Sequence, residues 1–120
     1  MAKINYSAAE LEALLDSVKP QIVYTAITGI STLAQLQTAL QNVINGMSYY
    51  SVRWVCFTPS AVFNTFNQNV YTVMITIPGS RTNAMCVFYK VSGGISSSYP
   101  RLQYYPLIGG TWGNLTTITV

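Results

Sequence analysis

Residues 69–91 decide the fold: Asn69-Val-Tyr-Thr-Val-Met-Ile-Thr-Ile77, then Pro78-Gly79-Ser80-Arg81, then Thr82-Asn-Ala-Met-Cys-Val-Phe-Tyr-Lys-Val91. Both flanks are rich in β-branched and aromatic residues, as half-buried strands are. Pro78-Gly79-Ser80 between them is a turn signal, so the stretch predicts an antiparallel hairpin. Upstream, residues 49–57 (Tyr-Tyr-Ser-Val-Arg-Trp-Val-Cys-Phe) have the same character and predict another strand. Downstream come a Ser- and Gly-rich loop at 92–98 and a Tyr-rich segment, 99–108, bounded by Pro100 and Pro106. A Gly-Gly-Thr-Trp-Gly corner at 109–113 and a last strand over 114–120 complete the β-rich part.

The period before residue 48 is helical. Ser7-Ala8-Ala9-Glu10 is a capping box, with Tyr6 and Leu11 at the staple positions and Leu11, Leu14, Leu15 and Val18 on one apolar stripe. Pro20 ends that helix, predicted over about 7–19. Residues 21–30 are β-branched and end near Gly29, which reads as an extended connector or short strand. Thr32 and Gln35 then stand at capping-box spacing, and Gly46 fits a C′ position, which predicts a second helix over about 32–45. Its Leu33, Leu36, Leu40, Val43 and Met47 step by three and four, which is heptad spacing. The opposite side (Gln35, Gln37, Thr38, Gln41, Asn42) is polar but uncharged. The stripe suits a seam between chains or a cover for one face of the following sheet. The expected architecture is α+β: a helical segment, 1–47, for attachment and oligomerisation, then an antiparallel β-rich head, 48–120.

Composition narrows the chemistry. Of 120 residues, 50% are hydrophobic and only 8% charged, against about 25% charge in an ordinary soluble domain. Disorder is excluded, since it needs low hydrophobicity and high charge. No apolar run approaches the ~18 residues of a membrane span. The chain has no His, and its three acids (Glu10, Glu12, Asp16) all lie in the first helix. Acid–base, metal-dependent and hydrolytic catalysis therefore have no residues to use in the β-rich part, and we expect no enzyme, cofactor or metal site. Cys56 and Cys86 lie in apolar strand-like runs and read as free buried thiols. A Ser–Lys pair using Lys90 has no supporting spacing. Ser92-Gly93-Gly94 lacks the Lys and helix of a phosphate loop. Asn114-Leu115-Thr116 fits a glycosylation sequon, but the start of the chain has no apolar signal region.

Net charge is +3, yet Arg53, Arg81, Lys90 and Arg101 are scattered, which is no nucleic-acid footprint. In place of ions the chain carries 38 Ser, Thr, Asn and Gln residues. Such an exterior can pack against copies of itself without desolvating charge, at several kcal/mol saved per ion. It reads as the composition of a permanent assembly, the alternative being a monomer that uses uncharged polar groups for solubility. Aromatic residues concentrate late: thirteen of fifteen fall in 49–120. Tyr99, Arg101, Tyr104, Tyr105 and Trp112 form a candidate ligand patch for sugars or protein surfaces. Core or subunit packing is the alternative for them, and for Tyr49, Tyr50, Arg53 and Trp54.

The opening Met1-Ala-Lys-Ile-Asn-Tyr-Ser-Ala-Ala-Glu-Leu-Glu-Ala-Leu-Leu-Asp16 resembles the short N-terminal helix of small structural proteins of tailed bacteriophages, particularly fibre and head-fibre proteins of the crAss-like gut phages. The order of short helix, heptad-spaced helix and acid-free β head also resembles trimeric phage fibre tips. The resemblance implies a virion protein made in the host cytoplasm. Tyr6, Leu11, Leu14, Leu15 and Val18 would attach to the particle, and the head would touch host glycan or protein. On this expectation the chain is a homotrimer with Leu33, Leu36, Leu40, Val43 and Met47 on the threefold seam. The other expectation is a monomeric β-sandwich module that binds carbohydrate or protein.

Overall fold

The computed structural model describes residues 7–18, 25–66, 69–94 and 99–118. It is an α+β fold with two helices and a seven-stranded, mostly antiparallel sheet among the described residues. Helix α1 spans Ala8–Val18, strand β1 Thr25–Ile30 and helix α2 Leu33–Asn45. Strands β2 (Val52–Pro59), β3 (Tyr71–Thr76), β4 (Ala84–Lys90) and β5 (Leu102–Ile108) follow, then two short pieces, β6 (Thr111–Trp112) and β7 (Thr116–Thr117). The order across the sheet is β1-β2-β3-β4-β5-β6, with β7 also on β5.

The expected hairpin over 69–91 is β3–β4, paired from Tyr71↔Lys90 to Thr76↔Met85. The connector over 21–30 contains β1, which pairs with β2 in parallel and so needs α2 as its crossover. Gly29, at φ +72°, sits where the β1–β2 register slips between Thr28 and Ile30. That left-handed backbone is open to glycine and makes a bulge in the outermost strand.

Both helices begin where their sequences predict, but the returning side chain of each capping box takes a group other than the Ncap N–H. The Thr32 hydroxyl accepts from the Gln35 amide at 3.2 Å, and Gln35 Oε1 takes the Ser31 N–H at 2.7 Å. In α1 the Ser7 hydroxyl accepts from the Glu10 amide at 3.2 Å, and Glu10 Oε1 accepts the Ser7 hydroxyl proton at 3.0 Å. The C-terminus of α2 differs from the expectation. Gly46 is right-handed (φ −93°, ψ −1°), and the Gly46 and Met47 amides close tight turns onto the Val43 and Ile44 carbonyls. Arg53 also donates to the Gly46 carbonyl at 3.4 Å, placing a cation at the negative end of the helix.

Strand parity builds the core. Val55, Phe57, Tyr71, Val73, Ile75, Ala84, Cys86, Phe88, Tyr105 and Leu107 share one buried face. Leu36, Leu40, Val43 and Ile44 of α2, with Met47 just beyond its end, cover one part of it. Phe63 and Phe66, from the turns after β2, cover another, where Phe66 meets Phe57, Phe63, Tyr71 and Phe88 with ring centroids 5.1–5.3 Å apart.

This arrangement corrects three expectations. Leu36, Leu40 and Met47 are at most 1% exposed and Val43 is 8% exposed inside a single chain, so these residues have no surface left for a seam between chains. Only Leu33, 39% exposed, keeps any. Three-and-four spacing serves a helix lying on a sheet as well as one in a coiled coil. For the same reason the boundary at residue 47/48 runs through one core rather than between two units: β1 ladders onto β2, and α2 packs beneath β2–β5. The β-sandwich expectation is also replaced, because the layer facing the sheet is a helix and loop and not a second sheet.

The last strand breaks for a local reason. Pro106 lies inside β5 opposite Met85, and its carbonyl accepts from the Gly113 amide at 2.8 Å. Its carbonyl and its missing N–H face the same side, toward the returning strand. Pairing there shifts by one residue between Trp112↔Leu107 and Thr116↔Tyr104, which separates β6 from β7.

Candidate functional site

The sheet has two faces of different fate. α2 and the 60–66 turns cover one, and no described residue covers the other. Its side chains run in transverse rows fixed by the register: Trp54, Met74, Val87 and Tyr104 in one, Cys56, Thr72, Tyr89 and Leu102 in the next, and Val52, Thr76, Met85 and Pro106 in a third. None of the twelve is charged. Val52 is 52% exposed, Trp54 44%, Tyr89 41% and Met85 40%. Across the first two rows lies a groove of about 390 Å³ lined by Trp54, Thr72, Met74, Val87, Tyr89, Val91 and Leu102. Arg101 borders this face at one end, its guanidinium 5.6 Å from the Tyr89 ring centroid and donating to the Tyr89 hydroxyl and the Lys90 carbonyl, both at 3.3 Å.

The five residues of the predicted ligand patch do not meet at one place. Tyr104 lies on the open face and Tyr105 on the buried one, because neighbours in a strand point oppositely. Tyr105 is fully buried, with its hydroxyl accepting from Gln37 Nε2 at 2.6 Å, so it has no surface to offer a ligand. Trp112, half-buried, stacks on Tyr105 with centroids 4.9 Å apart. Arg101 serves Tyr89, and Tyr99 lies under the Lys90 ammonium at 5.6 Å. Lys90 itself is 3% exposed and donates to the Gly94 carbonyl. The other aromatic patch also divides: Tyr49 takes the Arg81 guanidinium at 4.3 Å, Arg53 caps α2, and Trp54 joins the open face.

Of the attachment set, Leu11 and Leu14 are 40% and 48% exposed on α1. Tyr6 and the side chains of Leu15 and Val18 lie outside the described residues.

Sequence reasoning missed the open face as a surface, and missed a smaller groove of about 300 Å³ between α2 and β6 lined by Gln37, Thr38, Gln41, Asn42 and Trp112. A signal for each was present. Strand parity gives the first once the strands are placed, and the uncharged side of α2 gives the second.

The two thiols are free and differ in setting: Cys86 is buried in the core, and Cys56 is half-buried on the open face. β3 separates them, which exceeds the ~7 Å Cα separation that a disulfide spans. Burial pushes the Cys86 thiol from 9.0 up to about 12, which works against thiolate. Among the described residues no three His, Cys, Asp or Glu side chains gather, and no helix is long and apolar enough to cross a membrane. The chain matches no family model, and neither a curated protein nor a solved structure matches it significantly.

Proposed function

We propose that this chain is a non-enzymatic structural subunit of a multi-copy particle. In its specific form it is a phage fibre-like virion protein, a homotrimer attached through its N-terminal segment and presenting its β-rich part to the host surface. The observation that carries this is the open sheet face: three uncharged rows over four strands in a chain with 8% charge. With the seam on α2 excluded, that face takes over the role of contact between copies.

Its four strands about 4.8 Å apart and about seven residues at 3.4 Å give a plane of ~450 Å², a little over half of the ~800 Å² that each partner gives to a standard interface, so the rows form the centre of the contact rather than all of it. A second copy is the matching occupant, because the face has no charge to select an oppositely charged partner, and three such faces turned toward one axis bury their apolar rows together. The absence of His, the confinement of acids to α1 and the raised Cys86 thiol support a subunit without catalysis. The resemblance of residues 1–16 to phage fibre proteins supports the virion setting, with exposed Leu11 and Leu14 on the attaching helix.

Light scattering on the purified chain tests the proposal. A species of ~40 kDa, three times 13.2 kDa, supports the trimer, and ~26 kDa keeps the contact while changing the stoichiometry. A stable 13.2 kDa species overturns assembly and leaves the monomeric binding module, which the groove beside Trp112 favours.

A further inference from the structure

We infer that the groove between α2 and β6 binds one or two units of a neutral saccharide. The inference rests on the reading of this chain as a surface-binding subunit and names its ligand class.

Trp112 provides the platform. One side of its ring is set against Tyr105, whose hydroxyl is fixed by Gln37, so the indole is supported from beneath rather than left to swing. The ring then forms one wall of the groove, and α2 forms the other with Gln37, Thr38, Gln41 and Asn42. A pyranose offers an apolar C–H face to an aromatic ring and a rim of hydroxyls to amides, which is the pattern of these walls.

The hydrogen bonds already made define what is left. Gln37 Nε2 is committed to Tyr105, and Gln41 Nε2 to Asn45 Oδ1 at 3.0 Å and the Arg81 carbonyl at 3.3 Å. Each amide is thereby held one way round, and its Oε1 has no donor among the described residues. The Thr38 hydroxyl donates to the Ala34 carbonyl at 3.1 Å and retains acceptor capacity. Asn42 is exposed, and both ends of its amide are free among the described residues. Fixed acceptors with one amide donor suit a ligand whose groups donate and accept, as sugar hydroxyls do. Among the described residues no charged side chain lines the groove, so neither a phosphate nor an ammonium finds a counter-charge among them. The volume, about 300 Å³, is at the small end of ligand sites.

The experiment follows the indole N–H resonances of the assembled protein by NMR while glucose, galactose, mannose, N-acetylglucosamine and their disaccharides are titrated in. Trp54→Phe assigns the two signals. At least one sugar is expected to shift the Trp112 signal and leave Trp54 in place. Trp112→Ala is expected to weaken binding about tenfold, the size of one lost aromatic contact. Asn42→Ala changes an exposed residue and keeps the fold, so its loss of binding decides the matter if Trp112→Ala does not fold. Met74→Lys, on the opposite face, is expected to disrupt assembly and retain sugar binding. A Trp112 signal unmoved by every sugar, or binding that survives Asn42→Ala and Trp112→Ala alike, overturns the inference while the light-scattering result stands or falls separately.

Discussion

The Gly113 amide donates to the Pro106 carbonyl at 2.8 Å, and a Cβ placed on Gly113 would stand 2.9 Å from the Pro106 Cγ. The ring of one residue therefore occupies the space where the other would carry a side chain. Gly113→Ala is expected to lower stability by about 1–2 kcal/mol through overpacking at this corner. Chemical denaturation with an unchanged m-value would report it. A neutral result would mean that the β6–β7 break tolerates a shift of the strand.

Phe66 is fully buried among four aromatic neighbours that arrive from β2, β3, β4 and its own turn. Phe66→Ala is expected to cost about 3–5 kcal/mol, enough to exhaust much of the stability of a domain this size. Thermal unfolding followed by circular dichroism would show the loss.

Gly46 invites the opposite change. Its backbone is right-handed and a Cβ there meets nothing closer than 3.6 Å. Gly46→Ala is expected to stabilise the protein by about 0.4–1 kcal/mol, by restricting the unfolded chain. The same denaturation curve, shifted to higher denaturant, checks it.

Alkaline pH is expected to lower the stability of the fold in two stages. Burial raises Cys86 from 9.0 to about 12, and burial, with the neighbouring Tyr99 second, raises Tyr71 from 10.0 to about 12. Both groups are neutral when protonated, so the folded state holds its protons longer than the unfolded one. Their contribution is complete below pH 9, begins to fall as unfolded Cys86 ionises, and falls more steeply above pH 10 as Tyr71 joins. Cys86→Val is expected to remove the first stage and leave the second, read as melting temperature against pH.

A single charge separates the two faces of the sheet. Met74→Lys, in the middle of the open rows, is expected to leave a folded monomer, because the ammonium would have to be desolvated between copies. Leu40→Lys, on the fully buried ridge of α2, is expected to prevent folding altogether. Light scattering and circular dichroism together distinguish these outcomes; a Met74→Lys protein that still assembles would remove the open face from the interface.

Much of this fold is legible along the chain because its signals are local. Ser7–Glu10 and Thr32–Gln35 announce helix starts, and the 69–91 hairpin needs only its alternation and its Pro-Gly turn. Parallel pairing of β1 with β2 is not local, since its signal lies across a helix rather than within a window of residues. The destination of the leucine ridge is likewise undetermined by spacing, which is shared by a coiled coil and a helix on a sheet. Tyr104 and Tyr105 show a different failure. Composition groups them, yet adjacency in a strand is what sends them to opposite faces.

The kink that Gly29 puts into β1 bears on how large an assembly can grow. A straight outer margin would accept the backbone of a neighbouring molecule and propagate without limit, as amyloid does. With that margin bent, accretion sideways is discouraged, and association through a flat side is self-terminating. Gly29 thus favours a finite cluster over an endless ribbon.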